Sequence, residues 1–544
     1  MSTVKLLTTF RFLVKRSETS QRAMVIMIVV SGLSSGLLLG VINHAAEIAS
    51  DGKVSLMMAA LFVAALLIYV ISKRKALSSA SVAAERAIRD MRISMADQIR
   101  NSELLFLEGA GKGDIYARLT QDTGTVSQSV PVVFNGYQSA VVVLATLVYV
   151  LFISFDAFLI TGVFLALGTW VYTFRQGQSM QDLMQATAKE GEFFDALGHL
   201  IDGFKETKLN HAKNEDVFQS LGQVSRQTEK LMSRVAQSYA DSLVLSQTFV
   251  FLILATLVFI LPALHHSQPE TVLKLTSAIL FMVAPLEVVL MAWHFQMKVD
   301  VALSSIERLE ALLGRSQDAE DKKTPPDPSR FADFSKMHLQ EVVFSYPKKE
   351  ASFQIGPLDL EFRRGTCTFI VGGNGCGKST LLKLLTGLYT PQDGAVRIDD
   401  HHVSPETIGC YRELFSCIFS DFHLFDRLYG LKDVDSEQVR RLIDWVGLKD
   451  RTSYRDGRFT NIDLSTGQRK RLALIVALLE DKPIYVFDEW AADQDPEFRV
   501  RFYEEIIPGL TARGKTVIAV THDDRWFHCC DQLLKLDYGK IAVV

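Results

Sequence analysis

Two uncharged runs dominate the start of the chain, AMVIMIVVSGLSSGLLLGVI at residues 23–42 and VSLMMAALFVAALLIYVI at 54–71. Each is about as long as a helix needs to be to cross the hydrocarbon core of a bilayer. Four further apolar runs, at 130–153, 157–174, 243–264 and 275–293, bring the predicted spans to six within the first 300 residues. The third and fourth are separated by little more than SFDA. Beyond residue 293 no stretch is long and apolar enough to span, and the remainder is expected to be soluble. The first run reads as a retained span rather than a signal peptide, because some twenty residues precede it and no small-residue cleavage site follows.

The polar segments between spans keep a helical period. Residues 76–104 and 178–240 carry mixed charge at helical spacing, which predicts helices continuing well beyond the bilayer. Each of these long loops is interrupted by a polar break, GAGKGDIYARLTQD at 109–122 and HLIDGFKETKLN at 199–210, where a docking partner is expected. Gly32, Gly36 and Gly40 fall on one face of the first span; they either permit close helix contact or reflect the general frequency of glycine in membrane helices. Glu287, close to Pro285 in the sixth span, is costly against lipid and is expected to face a cavity or a partner. A place on a transport pathway and an interhelical hydrogen bond are the two readings of that carboxylate.

The pattern changes after a polar, proline-containing stretch, GRSQDAEDKKTPPDPSR at 314–330. From about residue 337, short β-rich runs alternate with helical ones: TCTFIV, KSTLLKLLTG, AVRID, PIYVFDE and KTVIAVTH. That alternation predicts an α/β sheet. TCTFIV runs directly into GGNGCGKST at 372–380, a GxxxxGK[ST] phosphate loop between a strand and a helix. Gly372, Gly373, Asn374, Gly375, Cys376 and Gly377 place backbone N–H groups toward phosphate oxygens, Lys378 reaches the terminal phosphates, and Ser379 and Thr380 follow at the helix start. ATP is the expected nucleotide, with Mg²⁺ held by the Ser379 hydroxyl and by Asp488 at the end of PIYVFDE. Glu489 is suited to polarise an attacking water, and His522, ending KTVIAVTH, to sense the terminal phosphate or accept a proton.

Charge settles orientation and excludes one class. Lys and Arg number five in residues 1–22, nine in 73–126 and eight in 174–242, whereas the intervening loops hold almost none, Lys53 among them. By the positive-inside rule both termini, both long loops and the soluble part are expected in the cytoplasm. A net charge of −4 over 544 residues offers nothing that points to nucleic acid. All six cysteines lie in the soluble part without a CxxC pair, which fits a reducing compartment. Cys376 lies at a helix N-terminus, which favours its thiolate; a space-filling role is the other reading.

Between the phosphate loop and PIYVFDE lies LSTGQRKRLAL at 464–474. It resembles the LSGGQ signature of ATP-binding cassette (ABC) proteins, with Thr466 in place of the first glycine. The order of Tyr346, phosphate loop, signature, Asp488–Glu489, Asp495 and His522 is similar to that family too, and six spans followed by one cassette resemble an ABC exporter half-transporter. LSTGQRKRLAL, DEWAADQDPEF and FSDFHLF look like the cyclic-peptide exporter branch, which includes the pyoverdine-precursor and syringomycin-type transporters of Gram-negative bacteria.

The resemblance implies a membrane all-α domain of six transmembrane helices over 1–313, a linker over 314–336 and an α/β P-loop cassette over 337–544. It further implies a homodimer in the bacterial inner membrane, exporting a peptide, lipopeptide or peptide siderophore precursor from cytoplasm to periplasm by alternating access. Periplasmic partner proteins stay open. A lipid flippase and, in another class, an ATP-gated channel or regulatory membrane ATPase are the competing functions. In residue terms it implies that Tyr346 stacks on adenine, that Ser465, Thr466, Gly467 and Gln468 act on nucleotide held by the second copy, and that Asp495 belongs to the loop after Glu489. The segments 109–122 and 199–210 match the position of the family's coupling helices. One departure stands out: Ser420, in CIFSDFHLF, takes the place of the glutamine that contacts Mg²⁺ and water in most cassettes. The stretch from Ser420 to Leu464 is also short, implying a trimmed helical subdomain.

Overall fold

The computed structural model describes residues 9, 12, 21–50, 55–109, 112–265, 269–315, 327, 329–346, 353–431 and 433–542. The chain forms two compact units, Met1–Ser102 with Phe106–Ser316, and Glu103–Leu105 with Gln317–Val544. Of the linker expected at 314–336, residues 316–326 and 328 lie outside the described residues, as does Lys53.

Six long helices build the first unit: α1 (Gln21–Ser50), α2 (Leu56–Arg100), α3 (Thr123–Ile153), α4 (Phe155–Asp202), α5 (His211–Ala255) and α6 (Pro269–Arg315). Each contains a stretch long and apolar enough to cross a membrane. α2, α4, α5 and α6 have 45 to 48 residues, about 70 Å at 1.5 Å per residue and more than twice a hydrocarbon core. Their polar halves therefore continue far beyond the bilayer, as the charge pattern anticipates. Local chemistry sets the boundaries. Ser154 alone separates α3 from α4 and caps the latter by accepting a hydrogen bond from the Ala157 N–H at 3.3 Å, while the Asn210 side chain caps α5 through the Lys213 N–H at 3.0 Å. Short helices at Leu104–Gly109, Lys112–Ala117 and Phe204–Leu209 occupy the two polar breaks.

Small residues set the spacing of the bundle. A Cβ on Gly32 would come within 2.6 Å of Val141 and one on Gly36 within 2.8 Å of Ala145, both on α3, whereas Gly40 has ordinary room beside Tyr149 at 3.7 Å. Only two of the three glycines are thus needed for contact. The closest approach is elsewhere, at Gly136, where a Cβ would overlap that of Ala292 on α6. Buried alanines such as Ala80, Ala84 and Ala87 pack with Val130, Phe134 and Val299 inside the bundle, while Leu33, Leu67, Val70, Phe152 and Phe259 are exposed on its outside. An apolar exterior on a helical bundle is the surface lipid chains require. Glu287 on α6 accepts a hydrogen bond from the Gln247 amide of α5 at 2.7 Å.

The second unit is built on two sheets. β1 (Lys336–Ser345), β2 (Gln354–Arg363), β4 (Asp393–Ile398) and β5 (His401–His402) form an antiparallel sheet in the order β2-β1-β4-β5. β3 (Cys367–Val371), β6 (Phe415–Ile418), β7 (Ile484–Asp488), β8 (Thr516–Val520), β9 (Gln532–Asp537) and β10 (Lys540–Ala542) form the main sheet, ordered β10-β9-β3-β8-β7-β6. All pairings in it are parallel except β9 with β10. β3, β7 and β8 are buried at every position, which explains their unbroken apolar runs in place of an alternating pattern. The helices used below are α7 (Lys378–Leu385), α8 (Ser436–Trp445) and α9 (Thr466–Glu480). Between β6 and α9 there is little besides α8 and a small ribbon pairing Tyr454–Arg455 with Arg458–Phe459.

Parallel pairing has one consequence for function. β3, β8, β7 and β6 are neighbours running the same way, so the segments that follow them leave from one edge of the sheet. Those segments are the phosphate loop, His522, Glu489 and Ser420. Ligand sites of open parallel sheets lie at that carboxyl edge.

Candidate functional site in the nucleotide-binding unit

The loop after β3 takes its shape from three glycines with positive φ, Gly372 (154°), Gly375 (77°) and Gly377 (108°). A side chain at Gly372 would collide with the Leu536 carbonyl and come within 2.7 Å of Cys376 Sγ. Cys376 itself turns into the core formed with Ile355, Leu381 and Leu536, which favours the space-filling reading of its thiol. Gly377 leads into α7, and the loop thereby presents backbone N–H groups at a helix start.

Lys378 is buried and folds back over this loop, donating to the Gly372 and Gly373 carbonyls at 3.1 Å each. Its Nζ lies 3.9 Å from Glu489 Oε1. The Ser379 hydroxyl donates to Asp488 Oδ2 at 3.1 Å. A hydroxyl and a carboxylate meeting beside a phosphate-binding loop are hard oxygen donors, and this set fits Mg²⁺. Thr380 Oγ1 lies 2.9 Å from the Tyr346 hydroxyl, and the Tyr346 ring stands edge-on to Phe344 and Tyr389. Tyr346 is thus held on the phosphate-loop side of the antiparallel sheet.

Glu489 follows β7 in a left-handed conformation, φ 50° and ψ 36°, uncommon for a residue with a Cβ. Its N–H donates to the Val520 carbonyl at 3.2 Å, and its Oε1 lies 3.0 Å from His522 Nε2. Glu489 and His522 line a cavity of about 320 Å³ together with Arg499, Thr521, Asp523 and Arg525. Hydrogen bonding from Arg525 holds the Asp523 carboxyl below the usual carboxylate range. Ser420 is exposed after β6, with no hydrogen-bond partner among the described residues. The aromatic part of its segment is firmly placed: the Arg469 guanidinium lies over the Phe422 ring at 5.6 Å, and His423, Phe425 and Tyr429 form an edge-to-face series.

The signature starts α9. Ser465 is its N-cap in a reciprocal capping box with Gln468. Gly467 permits a close approach, since a Cβ there would overlap the Asp493 carbonyl. Ser465 and Thr466 are exposed, and no hydrogen bond joins residues 465–468 to 372–380 among the described residues. The structure therefore gathers phosphate loop, Asp488, Glu489 and His522 into one group and leaves the signature outside it. Asp495 caps the helix Pro496–Arg501 through the Phe498 N–H at 2.8 Å and pairs with Arg471. The Phe498 hydrogen bond, more than the Arg471 partner, holds its carboxyl low.

Sequence reasoning passed over Lys470, Arg471 and Gln494, which tie α9 to the loop after Glu489. For the two cations the signal was present but faint: a basic triplet, Arg469 to Arg471, entering the apolar run that begins at Leu472.

Residues 355–492 match the family described as ABC transporter. The chain is 31% identical over 535 residues to the ATP-binding protein SyrD of Pseudomonas syringae pv. syringae, covering 94% of this chain and 92% of that protein. The chain belongs to the ABC transporter family. An ATP-dependent lipid A-core flippase of Alkalilimnicola ehrlichii is 24% identical over 484 residues, covering 84% of this chain and 79% of that one. The fold is similar to that of a bacterial Atm1-family ABC exporter with ATP bound, with a TM-score of 0.76 at 17% identity over 98% of this chain and 95% of the other. The protein is accordingly an ABC transporter with the fold of an ABC exporter: a multi-pass membrane protein with a cytoplasmic ATP-binding domain that couples ATP hydrolysis to transport.

Proposed function

We propose that two copies of this chain form a homodimer in the bacterial inner membrane that exports a peptide or peptide siderophore precursor from cytoplasm to periplasm. The observation that carries this reading is the span of the SyrD match, which runs through the membrane unit as well as the cassette. Cassettes are alike across transporters of unrelated cargo, so similarity in the spans bears more closely on what is carried. It accords with the resemblance of LSTGQRKRLAL, DEWAADQDPEF and FSDFHLF to the syringomycin-type branch.

In this reading each ATP site is shared. The 372–377 loop and Lys378 hold the phosphates of one ATP, Tyr346 stacks on its adenine, and Ser465, Thr466, Gly467 and Gln468 of the partner copy cover it. The loop containing Asp495 follows the catalytic strand of each copy. Ser379 and Asp488 would hold Mg²⁺, which would supply charge neutralisation at the terminal phosphates. Glu489 accepts the proton of the attacking water, with His522 beside it as phosphate sensor. Ser420 reaches the metal region through water in place of the usual glutamine. ATP binding favours the closed cassette pair and, through the cytoplasmic helix ends, the outward-facing bundle; hydrolysis releases it.

The likeness to the lipid A-core flippase over 84% of this chain favours a second reading, movement of a lipid. The deciding experiment uses the protein reconstituted in vesicles: stimulation of ATPase activity by cyclic lipopeptides with ATP-dependent uptake of the same peptide supports peptide export. Stimulation by lipid with ATP-dependent lipid movement, and no peptide uptake, replaces it with the flippase reading.

A further inference from the structure

Lys470 sits in the second turn of α9 with only 3% of its side chain exposed. An ammonium group in such a place requires partners, because losing its hydration costs several kcal/mol otherwise. It has two. Its Nζ donates to the backbone carbonyl of Glu489 at 2.7 Å and forms an ion pair with Asp493 at 2.6 Å. The contact is returned by the neighbouring residue, as the Trp490 indole N–H donates to the Lys470 carbonyl at 3.0 Å. Lys470 thus grips the loop immediately after β7 at the residue whose left-handed backbone is strained. For stability alone an apolar side chain of the same length would serve as well.

We propose that Lys470 is a positioning residue for ATP hydrolysis: from the signature helix it holds the Glu489 backbone in the left-handed turn that directs the carboxylate toward Lys378 and His522. Two neighbours make the link stiff. Gln494 donates to the Gly467 carbonyl at 3.1 Å and accepts from Arg471 at 2.8 Å, and Gly467 lies against the Asp493 carbonyl. A movement of the first turn of α9 is therefore transmitted to Glu489 through Lys470. Because that turn carries Ser465, Gly467 and Gln468, engagement of the signature at one ATP adjusts the base that serves the other. The inference rests on the assignment of Glu489 as the base.

The test uses the full chain in proteoliposomes. Lys470→Met should lower kcat for ATP at least about 20-fold while KM and the binding of a fluorescent ATP analogue stay within about twofold. Lys470→Met added to Glu489→Gln should lower the single-turnover rate by no more than about twofold beyond Glu489→Gln alone, because both changes act on one group. Asp493→Asn, which keeps the lysine and its burial, should lower kcat about three- to tenfold at unchanged KM; it carries the test if Lys470→Met does not fold. A Lys470→Met rate within about threefold of the unmutated protein, independent multiplication of the two losses, or an unaltered Asp493→Asn rate each overturns the inference. Normal turnover by Glu489→Gln would instead remove the base assignment beneath it.

Discussion

His522 Nε2 lies 3.0 Å from Glu489 Oε1, although the two residues are 33 positions apart in the chain. Parallel pairing of β7 with β8 sets this contact: Val520 is opposite Asp488, so the next residues of both strands emerge side by side. Glu489→Gln keeps the size of the side chain and its ability to hydrogen-bond, but not its basicity. ATP binding should persist while turnover falls by about 10²- to 10⁴-fold. ATPase assays paired with nucleotide-binding measurements check this, and a near-normal rate would reject Glu489 as the base.

Ser420 is exposed just beyond the end of β6, two residues before the Phe422 ring that lies under Arg469. A hydroxyl acting through one bridging water contributes about 1 kcal/mol, so Ser420→Ala should lower kcat roughly fivefold. Ser420→Gln tests the same position from the other side. If both variants keep the normal rate at saturating Mg-ATP, the serine is a bystander and the departure from the wider family has no catalytic meaning.

Glycines that look alike in sequence should behave differently. Gly136→Ala places a methyl against Ala292 and forces α3 and α6 apart, with an expected loss of about 1–3 kcal/mol. Gly40→Ala meets only ordinary contact with Tyr149 and should be close to neutral. Thermal unfolding of the detergent-purified variants, side by side, distinguishes the two.

The Gln247–Glu287 hydrogen bond joins α5 and α6 at 2.7 Å. If holding these helices is its whole purpose, Glu287→Gln should leave transport within about twofold and Glu287→Ala should cost about 1 kcal/mol of stability. A Glu287→Gln protein that is stable and hydrolyses ATP yet no longer transports would place the carboxylate on the cargo pathway.

The carboxyls of Asp523 and Asp495 are held low by hydrogen bonds from Arg525 and from the Phe498 N–H respectively. A depressed folded-state value means that the stabilisation is complete above the unfolded carboxylate range, near pH 4, and disappears as pH falls through the lowered value. Asp523→Asn should therefore lower the melting temperature of the full chain by about 2 °C at pH 7, the size expected of a pair with one exposed partner. The gap from the unmutated protein should close on acidification below the usual carboxylate range. A gap independent of pH would assign the loss to packing.

The sequence by itself determined the elements whose signal is local and long. Spans of about twenty apolar residues admit no other reading, and a phosphate loop between a strand and a helix names its ligand through backbone geometry that only glycine allows. That Asp488, Glu489 and His522 end strands was legible in PIYVFDE and KTVIAVTH, whereas their meeting at one edge comes from the parallel pairing of those strands. What only the tertiary structure decided are relations between distant segments of equal local likelihood. Gly32, Gly36 and Gly40 share a face and a spacing, yet α3 comes close to two of them and leaves the third with room. Glu287 has its amide partner 40 residues away. Lys470 reads as one more charge on a basic helix until the loop after β7 closes around it. The reason is the same in each case: periodicity reports which face a residue lies on, but the partner across that face is chosen by packing, which local sequence does not encode.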